Sequence, residues 1–117
     1  MSYVYKICDA RLWRDAATTG VFTGAAIDLE DGYIHFSTAA QAAETARRHF
    51  RNQDGLFLVK IDMTGLDITW EPSRGGDLFP HLYGDLPTSN AVQVTPLSCD
   101  EDGTPAPPDG WNDICQA

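Results

Sequence analysis

Two stretches of this chain concentrate side chains that could move protons or hold a charged ligand. The first is Asp31-Gly32-Tyr33-Ile34-His35-Phe36-Ser37-Thr38. Histidine is the side chain suited to proton exchange near neutral pH. Ser37 and Thr38 follow His35 where strand alternation gives way to helix spacing. Helix N–H groups and two hydroxyls would converge there beside the imidazole, a setting that favours an anion or phosphate. The same residues have a purely structural reading. Serine and threonine cap helices routinely, and His35 can be a strand-surface or satisfied core residue.

The second stretch runs from Trp70 to Gly84 and mixes large aromatics with charge. Glu71, Arg74, Asp77, His81 and Tyr83 supply acids, a cation, a titrating base and a phenol. Its glycines let backbone come close to a ligand, and long structured loops often carry function. The structural alternative is an Ω-loop in which Phe79, Leu82 and Tyr83 fill a core edge while Glu71 pairs with Arg74. Metal chemistry is not expected. His35, His49 and His81 have no i,i+4 spacing, and no carboxylate or cysteine stands at ligand spacing. The chain has no dinucleotide fingerprint, Walker loop, zincin motif or serine nucleophile elbow.

The elements that must position these groups read as β-α-β-α-β-β-β. Tyr3 to Ile7 alternates as a short strand. Asp9 caps a helix carrying Leu12, Trp13, Ala16 and Ala17 on one stripe, and Gly20 closes it. Residues 20–32 read as loop. Tyr33 to Ser37 forms a strand with Ile34 and Phe36 on one face and Tyr33, His35 and Ser37 on the other. Thr38 and Gln41 make a capping box. The helix that follows buries Ala39, Ala42, Ala43, Ala46 and Phe50. Its last turns carry Arg47, Arg48 and Arg51, cations that suit the negative helix end. Leu56 to Ile61 is the most apolar run and predicts a central strand. Asp67 to Glu71 adds a strand, Pro72 to Pro87 reads as a long loop, and Ala91 to Leu97 resumes as a strand. Residues 1–99 thus predict one α+β domain, a small mixed or antiparallel sheet with two helices. Residues 100–117 predict an acidic, proline-rich tail, extended and irregular, with Trp111 and Ile114 pinning its end.

Composition narrows the function classes. The 117 residues carry a net charge of −9, which disfavours nonspecific nucleic-acid binding and anionic membranes. No apolar run is long enough to span a bilayer, and MSYVYKI shows no signal-peptide pattern. Cys8, Cys99 and Cys115 form an odd set without CxxC spacing. A reducing, cytoplasmic setting with free thiols is therefore expected.

The chain resembles a small bacterial family known only as domain of unknown function 952. The resemblance rests on Tyr5-Lys6-Ile7, on Trp13 with Ala16 and Gly20, and on Asp31 to Ala39. Glu71-Pro72-Ser73-Arg74-Gly75-Gly76 and Phe79-Pro80-His81-Leu82-Tyr83-Gly84 complete it. That family in turn resembles ADP-ribosyltransferase folds, including RNA 2′-phosphotransferases, which implies an ADP-ribosyltransferase-like fold and a cleft. Laid on the phosphotransferase strand, the chain matches at His35 and Ser37. It departs at Asp31, where that strand has arginine, and at Tyr33, where it has its first histidine. Lys6-Ile7-Cys8 stands where many transferases carry a histidine or arginine for the NAD ribose. Glu71 is the one candidate for a transferase-type acid.

Residue types and resemblance together yield two expectations. One is an enzyme for glycosyl or phosphoryl transfer on a nucleotide- or NAD-like substrate, NAD being implied by resemblance alone. His35, Glu71 and His81 would be catalytic: the histidines as general acid and base, Glu71 stabilising an oxocarbenium-like centre. Tyr33, Ser37, Thr38, Arg74 and Tyr83 would bind ligand, Arg74 by bidentate phosphate contact and a tyrosine by stacking. The other is a non-catalytic module that binds a small anionic metabolite in the same cleft. A third reading makes the acidic chain an interaction partner with a structural loop.

Overall fold

A computed structural model describes residues 2–111, and Ile114 and Cys115 lie outside them. The backbone begins with β1 (Tyr3–Asp9) and α1 (Ala10–Thr19), then β2 (Val21–Phe22), α2 (Ala26–Asp31) and β3 (Ile34–His35). It continues through α3 (Ala39–His49), β4 (Leu56–Asp62), β5 (Ile68–Pro72), β6 (Leu78–Leu82) and β7 (Leu86–Pro87), ending in β8 (Ala91–Cys99) and β9 (Pro105–Ala106). The fold is α+β, and every strand pair is antiparallel.

Three groups of strands are hydrogen-bonded, in the orders β1-β4-β8-β9, β3-β6-β5 and β2-β7. A bridge between Tyr5 and Ser37 links the first two, with both backbone bonds at 2.8 Å. The expected central strand is correct: β4 lies between β1 and β8. Both faces of the β1–β4 pair are buried. On one face Val4, Cys8, Val59 and Ile61 pack with Trp13, Phe22, Ile34, Phe36, Leu82 and Leu86. On the other, Tyr5, Ile7, Leu56 and Leu58 pack with Ala42 and Ala46 of α3.

The helix ends follow the sequence. The Asp9 carboxylate accepts from the backbone N–H groups of Arg11 and Leu12, and Gly20 closes α1 at φ +89°, a conformation that favours glycine. Thr38 and Gln41 form the capping box of α3. At its other end, Arg47 and Arg48 pair with Glu44, and Arg51 donates to the Asp102 carbonyl at 2.9 Å.

Two expectations need correction. Residues 20–32 are not simply loop, because they contain β2 and α2; the described residues therefore form α1, α2 and α3 rather than two helices. Six residues are too few for helical periodicity to stand out. Residues 72–87 are not one long loop either. Gly75 and Gly76, at φ +68° and +87°, close a tight turn between β5 and β6, and Phe79 to Leu82 are buried. Proline and glycine ordinarily demote a strand assignment. Here the glycines sit at the strand ends, and the Pro80 carbonyl still accepts from Phe36 N–H at 3.0 Å.

Past residue 99, β9 pairs with Ser98 and Cys99 of β8, Thr104 and Pro105 are buried, and Trp111 packs beside the α3 cluster. Among the described residues, no helix is long and apolar enough to cross a membrane.

Candidate functional site

The β1–β4 face that packs against α1 is apolar except at Lys6. That side chain alternates with Val4 and Cys8 and is only 4% exposed. A buried ammonium needs a countercharge and full hydrogen bonding. Asp28 of α2, 2% exposed, supplies the countercharge. Lys6 Nζ lies 3.0 Å from Asp28 Oδ1, 2.8 Å from its Oδ2 and 3.0 Å from the His35 carbonyl, so three acceptors take up its three protons. Asp28 also accepts from Ala25 N–H at 2.8 Å and His35 N–H at 3.1 Å. Burial alone would push this carboxyl up. The His35 hydrogen bond and the Lys6 charge overcome that and hold it at about 2.

His35 is gripped from both sides. Its Nδ1 is 2.6 Å from Asp28 Oδ1 and its Nε2 is 2.9 Å from Asp31 Oδ2. Both acids belong to α2, so this short helix packs against the His35 ring by two carboxylates. Antiparallel pairing of β3 with β6 sets His35 directly opposite His81, with ring centroids 5.3 Å apart. Tyr33 packs against both rings, at 4.6 Å from His35 and 4.2 Å from His81, and against Tyr83 at 5.1 Å. Burial, then the charges of Asp31 and Glu71, push the Tyr33 phenol above its ordinary value.

The β5–β6 pairing places Glu71 beside His81. His81 Nδ1 is 2.8 Å from Glu71 Oε1, and the Tyr83 hydroxyl donates to the same carboxylate at 2.8 and 3.0 Å. Bonds from His81 and then Tyr83 hold the Glu71 carboxyl below the usual range, and the Glu71 carboxylate raises the Tyr83 phenol. His81 is 4% exposed. Its Nε2 has no hydrogen-bond partner among the described residues.

A cavity of about 450 Å³ lies against this cluster, within the size range of small-molecule sites. His35, Ser37, Asp31, Lys6 and His81 line its polar side, and Tyr5, Ile7, Ile27, Phe36, Phe50 and Phe79 its apolar side.

Tyr33, His35, Glu71, His81 and Tyr83 thus come together in one cluster, and Ser37 faces the same cavity while bonding to Thr45 Oγ1 at 2.8 Å. Thr38 is spent on the helix start: its hydroxyl accepts from Gln41 N–H, and its own N–H donates to Gln41 Oε1. It does not line the cavity. Arg74 opens the turn between β5 and β6, next to the cavity-lining Ser73; its side chain lies outside the described structure. Among the described residues, no three His, Cys, Asp or Glu side chains are grouped to hold a metal ion. Burial pushes the Cys8 thiol up to about 12, which leaves no reactive thiolate at neutral pH.

Lys6 and Asp28 were not singled out by sequence reasoning. The available signal was a lysine inside the apolar alternation Val4-Tyr5-Lys6-Ile7-Cys8, a position whose charge demands a buried partner.

A family model described as "Protein of unknown function (DUF952)" matches residues 7–94. An X-ray crystal structure of protein CC0527 from Caulobacter crescentus is 43% identical to the chain. The match covers 89% of this chain and 93% of that one, with a TM-score of 0.84. A solution NMR structure of CC0527 gives 44% identity, coverage of 90% and 92%, and a TM-score of 0.80. No curated protein matches the chain.

Proposed function

The chain belongs to the DUF952 family, whose description assigns no activity, and from the geometry of its site we propose an acid–base enzyme acting on a nucleotide- or NAD-like small molecule. The observation that carries this is His81: its Nδ1 is held by Glu71, and its unpartnered Nε2 belongs to a buried side chain that lines the cavity. A carboxylate that fixes one imidazole nitrogen leaves the other to take or give a proton. Glycosyl transfer is the better of the two expected chemistries. Lys6, the one described Lys or Arg lining the cavity, is saturated by Asp28 and the His35 carbonyl, whereas the carboxylate of Asp31, which lines the cavity, suits an oxocarbenium-like centre. Tyr33 or Tyr83 would stack on a base. Ser37 and Arg74 would hold a phosphate. The curled antiparallel sheet beside a cavity suits the ADP-ribosyltransferase-like fold that the resemblance implies. The free thiols Cys8 and Cys99 suit a cytoplasmic setting.

Thermal-shift titration with NAD, ADP-ribose and phosphorylated nucleotides tests the ligand class, because binding to the native state alone raises its stability. NAD turnover then tests the chemistry. Glu71→Gln and His81→Gln should each lower it by about 10²–10⁴-fold. No shift at millimolar ligand counts against the nucleotide reading. Binding without turnover supports the second reading, a non-catalytic module. That reading draws on Asp31, which already occupies His35 Nε2.

A further inference from the structure

We infer that Lys6 and Asp28 are positioning residues for His35: they fix its proton on Nδ1 and leave Nε2, opposite a displaceable Asp31, as the atom that exchanges protons at the cavity. The inference goes beyond the proposed reaction, since it concerns which nitrogen is active whatever the substrate.

The two sides of the imidazole are built differently. Asp28 is sealed in the core, with its side chain 1% exposed, and it does not line the cavity. An ionised carboxylate can only accept, so Nδ1, 2.6 Å away, must donate to it. Lys6 supplies the countercharge that keeps Asp28 ionised inside an apolar face. The same pair also clamps the backbone of His35, whose N–H donates to Asp28 and whose carbonyl accepts from Lys6. Neither the ring nor its peptide can turn without breaking a hydrogen bond to this buried pair. On the other side, Asp31 sits one helical turn later, with its side chain 39% exposed and 2.9 Å from Nε2; an ionised Asp31 likewise accepts from Nε2, so while both contacts hold the ring carries two protons, and the one on Nε2 is the one it can release. Both Asp31 and His35 line the cavity. A ligand that displaces Asp31 meets Nε2, while Nδ1 stays closed off. The groups facing the ring are therefore Lys6 from β1, Asp28 and Asp31 from α2, Tyr33 just before β3, and His81 of β6, at a steep angle to the ring. Of these, only Asp28 and Asp31 touch its nitrogens.

Nitrogen-15 NMR of histidine-labelled protein reads this directly, at a pH where the His35 ring is neutral. Wild type should show the Nδ1–H tautomer. Asp31→Ala, an exposed change, should leave it unchanged. In Lys6→Met/Asp28→Leu, where apolar side chains replace both charges, the proton should move to Nε2, because Asp31 is then the remaining acceptor. An Nε2–H ring in wild type, a tautomer change in Asp31→Ala, or an unmoved proton in the folded double variant would each overturn the inference. Should the double variant not fold, wild type and Asp31→Ala decide between them. Absence of NAD turnover with the Nδ1–H pattern intact would sink the proposed reaction and leave this inference standing.

Discussion

Replacing Lys6 by methionine is the sharpest perturbation the fold offers. Met has nearly the same length and keeps an apolar stem, while the cation 6.0 Å from the Phe22 ring centroid is lost. What disappears is the ammonium at 2.8 and 3.0 Å from the two oxygens of Asp28. Asp28 keeps its donors from Ala25 and His35 but loses its countercharge in a site closed to water. Removing one partner of a buried ion pair costs roughly 3–5 kcal/mol. A single domain holds only about 5–15 kcal/mol in total, so the variant loses about a fifth of its stability or more. Replacing both charges in Lys6→Met/Asp28→Leu leaves no orphaned charge, and apolar replacement of a buried pair is often neutral or stabilising. Urea unfolding followed by tryptophan fluorescence measures this, with Trp13, buried against Phe22, as reporter. The single variant should show a large fall in midpoint at unchanged m-value, and the double variant should recover most of it. A cost below about 1 kcal/mol for Lys6→Met would refute the reasoning. So would a double variant as unstable as the sum of the two single variants, because the two charges would then not be coupled.

Acid should unfold the protein through the same residue. Folding lowers the Asp28 carboxyl from an ordinary 3.8 to about 2, so the unfolded chain takes up that proton first as pH falls. The contribution is complete above about pH 4 and is lost towards pH 2, amounting to roughly 2 kcal/mol. Urea midpoints measured across that window should fall in wild type, and the Asp28 share of the fall should vanish in the double variant. Gly24→Ala probes how α2 is seated. Gly24 has φ +121°, and an added Cβ would stand 2.9 Å from the Cβ of Asp28. A cost of about 1–3 kcal/mol is expected, with shifted His35 resonances; an unchanged melting temperature and spectrum would show that α2 tolerates the intrusion.

Local rules made much of the frame readable. Asp9 and Gly20 bound α1, and Thr38 with Gln41 starts α3, because caps depend on residues within one turn. The apolar run at Leu56 to Ile61 marks the strand at the middle of its sheet, because burial on both faces leaves no polar alternation. His35, Glu71, His81, Tyr33 and Tyr83 could be named from residue type and resemblance. That they form one cluster could not be read, because it depends on β3 pairing with β6 and β6 with β5.

The largest gaps share a cause. Helix α2 is too short to show a period, and β6 hides behind the proline and glycines that flank or interrupt it. Both owe their structure to what they pack against. Lys6 is the clearest case. In sequence it is one lysine in an alternating strand, and alternation predicts exposure for one face of such a strand. Only the tertiary structure buries both faces of β1, forces the ammonium to find Asp28, and through that pair fixes the ring of His35. Sequence determined which residues could form strands, caps and proton carriers, since those properties are local. Which of them meet is set by long-range pairing and by the cost of burying charge, and neither is written in any one stretch of the chain.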